Sequence, residues 1–366
     1  VYEVNTRTGA IHKVGYTYGE GFYRIDCPLG RLESRLFLIT EEKLGRTLQA
    51  PKRHGQFSDF VKLPQKKLGY SLSEPNAIVL DHALCTVDGV AATEEKFVLD
   101  IDKDLRKTLG ANPRSGYMVQ PWVSGEQKAE KQLDIALTYR FTCEKIPAEP
   151  VVLSIERPEF YSITLNGKPL KQQDVGFWMD PAIRCLALPR LRKGVNELVL
   201  TGKYHVYLPG LEALFIRGKF GVKNESTITT LPKTVDIGDW CLQGLENYSG
   251  NLTYQFALGK KPKTDKRLFL RIPEWRGVAL GIAINGGKET MIPWPPYELD
   301  VTDQLSKPRN TVKITVYGHR RNACGPFYIA GVKWPEWTGP DQLGQHETRV
   351  RELVPCGLLG PVELAY

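Results

Sequence analysis

The chain has 366 residues, 42% of them hydrophobic and 25% charged, with a net charge of +8 at pH 7. This length predicts two or three domains, and the ordinary globular composition, without low-complexity segments, excludes a disordered or fibrous chain. No apolar stretch approaches the roughly 18 residues that a membrane-spanning helix needs. Because the chain begins at Val1 rather than Met, we expect a processed product or a piece of a longer protein.

Residues 1–72 differ in sequence pattern from the rest of the chain. They contain two strand-like runs within GFYRIDCPLGRLESRLFLI, followed by a polar, loop-like stretch. We interpret this segment as the tail of an upstream β-rich domain. A new unit begins at residue 73, with a strand predicted at residues 77–80.

One helix is predicted, at residues 100–110, in a chain where helix is otherwise scarce. Two leucines lie four residues apart there, on one helical face. Asp100 or Asp102 would cap the start of this helix, and Gly110 would end it.

Two nearly identical pentamers, LTYRF at 137–141 and LTYQF at 252–256, lie 115 residues apart. Their neighbourhoods match in the same order, because each pentamer is followed by an Asn-Gly pair and then by an asparagine that opens a strand-like segment. The matching landmarks, at offsets of 114 to 119, are Asn166-Gly167 with Asn285-Gly286 and Asn196 with Asn310. This period indicates a duplicated domain rather than a solenoid repeat.

Both copies have the pattern of antiparallel strands. DIALTYRFTC and NLTYQFAL alternate apolar and polar residues, as strands with one buried face do. Asn-Gly between extended segments is a strong hairpin signal, and Pro or Gly interrupts the chain roughly every eight to twelve residues, as in a sandwich. The predicted fold class is all-β: tandem antiparallel β-sandwiches or jelly rolls at 73–231 and 232–366, with little helix.

The excess positive charge is not gathered into the stripe or arm that is typical of nucleic-acid-binding proteins, so no nucleic acid partner is expected. The densest run, GKKPKTDKR at 259–267, is interpreted as a solvated hairpin loop. The alternative is that the mild positive excess favours an acidic polysaccharide.

The chain has seven cysteines and no CxxC pair. A zinc site is therefore not expected. One disulfide is allowed, but the sequence leaves its partners open.

Four segments of the second copy form an ordered pattern: GDWCLQGLENYSGNLTYQFAL (238–258), INGG (284–287), WPPYELDVTDQL (294–305) and RNTVKITVYG (309–318). This pattern resembles the galactose-binding-like jelly roll attached to many glycoside hydrolases. The matching positions are Trp240, Tyr248, Gly250, Asn285, Gly286, Pro296, Tyr297, Asp300, Val301, Thr302 and Asn310.

With EPNAIVLDHALCTVDG (74–89) and VPCGLLGPVEL (354–364), the likeness extends over residues 74–366. This part of the chain resembles the C-terminal half of large bacterial glycosidases, similar to family 106 α-L-rhamnosidases and family-2-like enzymes. Such enzymes carry their catalytic carboxylates on a (β/α)₈ barrel, whose alternating strands and helices this chain lacks.

The resemblance implies a non-catalytic, carbohydrate-directed region of a secreted or periplasmic bacterial glycoside hydrolase, with its signal peptide outside this chain. The implied partners are a plant or microbial polysaccharide and an upstream catalytic domain, with no membrane partner. No cofactor is implied, although jelly rolls of this class allow a structural calcium ion. The alternatives are α-L-rhamnosidase-like hydrolysis by the parent enzyme and a plain adhesion or scaffold role.

Sugars are bound by aromatic faces and by planar polar groups on loops of a rigid sandwich. The predicted carbohydrate-binding residues, which lie in Pro-rich or strand-end surroundings, are Trp294, Tyr297, Trp334, Trp337, Arg320, Arg321 and Asn322. The alternative for Trp294 and Trp337 is packing at a domain interface. Trp240 and Tyr248 are assigned to the core.

Glycoside hydrolysis needs two carboxyl groups that lie across the sugar from each other. Two pairs of carboxylates lie close together in the sequence, Asp236 with Asp239 and Glu298 with Asp300. We interpret the first pair as linker or turn residues, and Asp300 as ordering the turn before VTDQL. No catalytic residue and no metal ligand is therefore assigned, and His319, at the end of a strand, is interpreted as structural.

Overall fold

The computed structural model describes residues 1–6, 9–29, 34–44, 57–114, 130–325 and 351–366. Nearly all regular structure in them is antiparallel strand, which confirms the predicted all-β class. Two sandwiches, each with its own apolar core, account for most of the described residues.

The elements fall into three groups along the chain. Residues 1–72 contribute β1 (Tyr2–Val4), β2 (Ile11–Lys13), β3 (Thr17–Gly19), β4 (Phe22–Arg24), β5 (Leu36–Leu38), β6 (Phe60–Lys62) and β7 (Gly69–Leu72). Residues 73–231 contribute β8 (Asn76–Leu80), β9 (His82–Val87), β10 (Val90–Ala91), β11 (Lys96–Phe97), helix α1 (Val98–Thr108), β12 (Leu133–Cys143), β13 (Val152–Glu156), a 3₁₀ turn (Pro158–Phe160), β14 (Ser162–Leu165), β15 (Lys168–Pro169), β16 (Asp174–Trp178), β17 (Asp180–Ala187), β18 (Gly194–Tyr204), β19 (Leu214–Gly218), β20 (Gly221–Lys223) and β21 (Thr227–Thr229). Residues 232–366 contribute a 3₁₀ turn (Trp240–Gln243), β22 (Leu252–Leu258), β23 (Phe269–Arg271), β24 (Trp275–Arg276), β25 (Ala279–Ile284), β26 (Thr290–Ile292), β27 (Glu298–Asp300), β28 (Asn310–Tyr317), helix α2 (Arg321–Cys324), β29 (Gly357–Leu358) and β30 (Glu363–Ala365).

The first sandwich packs a sheet of order β10-β9-β12-β18-β14-β15 against a sheet of order β16-β17-β13-β19-β8. The second packs β26-β25-β28-β22-β7 against β27-β23-β30-β6. Strand β12 alternates buried side chains with exposed or half-buried ones along its whole length, as its sequence pattern predicts. Trp240 and Tyr248 are fully buried in the second core, and their rings meet edge to face at 5.8 Å, which confirms their assignment.

The duplication extends to the hydrogen bonds of individual side chains. In the first sandwich, Asn166 donates from Nδ2 to Asn196 Oδ1 at 3.0 Å and accepts from the Glu197 amide at 3.0 Å. In the second, Asn285 donates to Asn310 Oδ1 at 2.9 Å and accepts from the Thr311 amide at 3.0 Å. Each Asn-Gly turn has positive φ at both residues, with φ 53° at both asparagines. We call these pairs the asparagine ties; each fixes a hairpin turn to the neighbouring long strand.

The chain enters the second sandwich before it builds the first, which differs from the expected assignment of all of residues 1–72 to the tail of an upstream domain. Strand β7 pairs with β22, so that Tyr70 lies opposite Tyr254, and β6 pairs with the last strand, β30. Backbone hydrogen bonds also join Leu68 to Val235 in both directions. Residues 60–72 therefore belong to the second sandwich rather than to an upstream tail, and residues 73–231 are inserted within it.

Helix α1 lies at Val98–Thr108, close to its predicted position, but its start is not capped as expected. The N-cap residue is Phe97, without a side-chain cap. Asp102 instead turns inward, where it accepts hydrogen bonds from the Tyr204 hydroxyl at 2.7 Å and the Leu211 amide at 2.9 Å. Arg114 supplies the opposite charge at 3.0 Å. Asp102 thus fixes the helix to the sheet, because a buried carboxylate must be paired and hydrogen-bonded.

A variant that tests the insertion lacks residues 73–231 and joins residue 72 to residue 232 through a short flexible linker. We expect this second sandwich to unfold cooperatively in urea, because all strands of both its sheets are retained. A matched variant that also lacks residues 57–72 should lose the cooperative transition, since β22 and β30 then each lose a neighbouring strand. Equal behaviour of the two variants would contradict the pairing described above.

The asparagine tie is tested with Asn285→Gly, which keeps a residue that tolerates positive φ but removes the side-chain hydrogen bonds. We expect a loss of about 1–3 kcal/mol in the free energy of unfolding, because Asn310 and Thr311 lose their partner groups. The control is Asn224→Gly, at an exposed turn with φ 50°, which should change stability little. Urea titration followed by circular dichroism measures both.

Candidate functional site

The structure separates the predicted carbohydrate-binding residues into two regions. Trp334 and Trp337 lie outside the described residues. Trp294 and Tyr297 lie between β26 and β27, in a loop with a cis bond between Pro295 and Pro296. The Tyr297 ring meets Trp275 edge to face at 4.9 Å and packs against the second core.

Arg320 lies at the junction of the two sandwiches. Its guanidinium forms an ion pair with Glu74, with Nη2 donating to Oε2 at 3.1 Å, and Nη1 donates to Ser249 Oγ at 2.9 Å. It also stacks at 5.5 Å on Trp178, which Arg217 approaches at 4.4 Å. These contacts engage the Arg320 side chain within the protein and fasten the first sandwich to the second.

Asn322 is fully buried on helix α2. Its amide donates to Val354 O and accepts from Val354 N, both at 2.8 Å. Burial lowers the pKa of the neighbouring Arg321 guanidinium. Helix α2 thus fixes residues 351–356 to the second sandwich, and the structure does not bring Arg320 or Asn322 beside Trp294 and Tyr297.

The outer face of the sheet β27-β23-β30-β6 brings together polar and aromatic side chains from distant parts of the chain. The registers place Arg271 opposite both Glu298 and Glu363 and place Phe269 opposite Asp300. Strand alternation puts all of these residues on one face of the sheet, and the leucines between them point into the core.

Arg271 is the centre of this face. Its guanidinium lies 5.1 Å from the Phe57 ring and 5.4 Å from the Phe60 ring. Its nitrogens lie 3.6 Å from a Glu298 oxygen and 3.8 Å from a Glu363 oxygen. Phe60 is 48% exposed and the Arg271 side chain 31% exposed. We call these five residues the Arg271 surface.

The Arg271 surface has the chemistry that recognises sugars. An exposed aromatic ring packs against the apolar C–H face of a pyranose, and a guanidinium and carboxylates donate to and accept from the hydroxyls. The surrounding strands hold these groups on a rigid sheet. The sequence does not reveal this surface, because Phe57 and Phe60 lie in the segment interpreted as an upstream tail, and only the sheet register brings Glu363 beside Arg271.

Three of the four carboxylates considered for catalysis, Asp300, Asp236 and Asp239, have structural roles. Asp300 Oδ1 accepts from the Thr302 amide at 3.0 Å and from the Thr302 hydroxyl, and Oδ2 pairs with Arg267. These contacts lower the pKa of Asp300 despite partial burial, and they order the turn as the sequence predicts. Asp236 accepts from the Lys67 amide, and Asp239 from two cysteine amides.

A cavity of about 20 Å³ lies in the first sandwich beside Glu156, Glu212 and Tyr161. Burial and the nearby Glu212 charge raise the pKa of Glu156. The cavity holds about one water molecule and is too small for a sugar ring.

Within the described ranges, no group of three or more His, Cys, Asp or Glu side chains converges as a metal site would require. The same ranges contain no helix that is long and apolar enough to cross a membrane.

No protein-family model matches the chain, and no curated protein matches it. Among solved structures, the rhamnosidase from Novosphingobium sp. PP1Y is similar at a TM-score of 0.26 and 15% identity, over 72% of this chain and 26% of that chain. A GH2 beta-galacturonidase from Eisenbergiella tayi bound to glycerol is similar at a TM-score of 0.21 and 9% identity, over 68% and 36%. An anti-sigma factor domain-containing protein has a TM-score of 0.19 and 8% identity, over 70% and 91%. The chain thus spans about a quarter to a third of the two glycosidases, and TM-scores of this size carry no argument about its function.

The structural role of Asp300 is tested with Asp300→Asn. We expect a loss of about 1–2 kcal/mol in the free energy of unfolding at pH 7, because the ion pair with Arg267 and the strength of the hydrogen bonds to Thr302 are reduced. The folded-state pKa of Asp300 is lowered, so its ionised carboxylate stabilises the fold above the unfolded pKa and stops doing so as the pH falls through the folded pKa.

The difference between wild type and Asp300→Asn should therefore shrink as the pH is lowered from 7 to below the ordinary aspartate pKa of about 3.9. Urea titrations at several pH values measure it. Asp303→Asn, at an exposed position of the same turn, is the control. A pH-independent difference would show that Asp300 acts through packing rather than charge.

Proposed function

We propose that this chain is the non-catalytic, carbohydrate-directed β-sandwich region of a multidomain glycoside hydrolase. On this proposal it binds a plant or microbial polysaccharide through the Arg271 surface. The parent enzyme is secreted or periplasmic, and the binding needs no cofactor. The observation that supports the proposal is the position of Arg271 between two aromatic rings, of which Phe60 is 48% exposed, and two largely buried carboxylates.

The two glutamates of the Arg271 surface favour binding over hydrolysis. A glycosidase holds its two carboxyl groups across an open space that receives the glycosidic bond. Here Glu298 and Glu363 flank a guanidinium, which occupies the space between them. They can still accept hydrogen bonds from sugar hydroxyls with their remaining lone pairs. Hydrolysis, in the parent enzyme, then belongs to residues outside this chain.

The Trp294–Tyr297 loop extends the proposed surface. Tyr297 directly precedes Glu298, and its carbonyl accepts from the Ile272 amide at 3.0 Å, next to Arg271. The loop therefore borders the sheet edge where β27 begins. Trp334 and Trp337 stay in the proposed binding set on sequence grounds, as does Arg321.

The second candidate function of this chain is to support an upstream catalytic domain, and one feature of the structure favours it. The hairpin β3-β4 exposes a cluster of aromatic rings, with Tyr18 63% and Phe22 69% exposed. Tyr23 lies 4.8 Å from Tyr18 and 5.3 Å from Tyr16. An exposed aromatic cluster of this kind suits contact with another domain.

A glycan array, weighted toward rhamnose- and galactose-containing pectic oligosaccharides, tests binding by the whole chain. For a glycan that binds, Arg271→Ala and Phe60→Ala should each weaken affinity about 10- to 100-fold, because each removes a charged hydrogen-bond donor or a stacking ring. Arg276→Ala, at an exposed position on β24, is the matched control and should bind normally.

Isothermal titration measures the affinities, and circular dichroism checks that each variant is folded. A silent array with folded protein would overturn the binding proposal and favour the supporting role. Binding that survives both substitutions but is lost in Trp294→Ala would move the site to the loop.

A further inference from the structure

Two cysteines that are far apart in sequence share one hydrogen-bond acceptor. Asp239 Oδ1 accepts from the backbone amide of Cys241 at 2.9 Å and from that of Cys356 at 3.0 Å. The Trp240 amide donates to the Cys356 carbonyl at 3.0 Å. The two backbones are therefore adjacent, as a disulfide between Cys241 and Cys356 requires.

The two thiols lie close enough for each to shift the pKa of the other, and both residues are buried. The Cys241 thiol donates to the Val354 carbonyl oxygen at 3.7 Å. Asn322 Nδ2 lies 3.1 Å from Cys241 Sγ, and His319 Nε2 lies 3.0 Å from Cys356 Sγ. The contacts with Cys241 and His319 lower the pKa of Cys356, and the contact with Cys356 raises the pKa of His319. Cys356 thus has thiolate character, which is the form that attacks disulfides.

We propose that Cys241 and Cys356 are a disulfide-forming pair, closed by exchange with a low-molecular-weight disulfide such as oxidised glutathione. The Cys356 thiolate attacks one sulfur of the oxidant and expels a thiolate, which takes the proton held by His319. The Cys241 sulfur then attacks Cys356 Sγ in the mixed disulfide and expels the second thiolate, which takes the Cys241 proton. The two cysteines are oxidised, and the oxidant is reduced to two thiols.

The exchange takes place as residues 351–366 dock, because both sulfurs are buried once this segment is in place. The bond fastens the 3₁₀ turn Trp240–Gln243 to the segment that carries the last strands of the chain. It closes a long loop, and long loops give the largest stabilisation in the chain-entropy account of disulfides. Asp239 is turned to the two amides, and in the described part of the chain no three ligand-type side chains converge as a metal site requires.

The whole chain is refolded with either oxidised glutathione or a reductant and then denatured for thiol titration. The reduced protein should show all seven cysteines, and the oxidised protein should show two fewer. A non-reduced proteolytic digest should contain the Cys241 peptide linked to the Cys356 peptide by mass spectrometry. Oxidation should raise the Tm by about 5 °C or more.

Cys241→Ser and Cys356→Ser should lose no thiols on oxidation, and their Tm should not respond to the oxidant. The control is Cys324→Ser, at an exposed cysteine, which should still lose two. Retention of all thiols by the oxidised wild-type protein, or a linkage mapped to another pair, would overturn the proposal. The wild-type peptide map decides the question even if a serine variant does not fold.

Discussion

The pairing of β6 and β7 with strands that follow the first sandwich in the chain is the constraint on which the architecture depends. β7 completes one sheet of the second sandwich, and β6 forms an edge of the other. The chain must leave the second sandwich after residue 72, build the first, and return near residue 232. The Tyr70 hydroxyl donates to the Pro232 carbonyl at 2.6 Å and joins the two crossing points. The insertion therefore leaves and returns at adjacent points, which is the geometry in which a sheet can accommodate an inserted domain.

Much of the fold can be predicted from the sequence because its signals are local. The alternation in β12, the Asn-Gly turns and the position of α1 are each set by neighbouring residues. The place of residues 60–72 in the second sandwich could not be predicted, since β6 and β7 are short and gain their partners only through strands about 180 to 300 positions later. Asp102 illustrates the same limit: its local pattern suits a helix cap, but Tyr204 and Leu211 provide better partners from a distance.

The candidate site was less predictable than the fold for a related reason. Aromatic and arginine side chains near loops indicate binding, yet the same side chains also stabilise domain junctions. Arg320 stacks on Trp178 and pairs with Glu74, and Asn322 satisfies both backbone groups of Val354. Burial of these polar groups requires such partners, which come from elements remote in sequence. Arg271 lies in an unremarkable strand, and only the sheet register places it between two carboxylates.

The proposed binding surface and the proposed disulfide depend on the same assembly step. Phe57 and Phe60 come from the first segment of the second sandwich, Arg271 and Glu298 from its middle, and Glu363 from its end. The surface therefore exists only when β30 has docked between β23 and β6. Cys356 lies seven residues before Glu363, and its link to Cys241 would hold the segment that carries β30 in place. A cross-link there would reduce local opening of the last strands and so raise the fraction of molecules with a complete binding face.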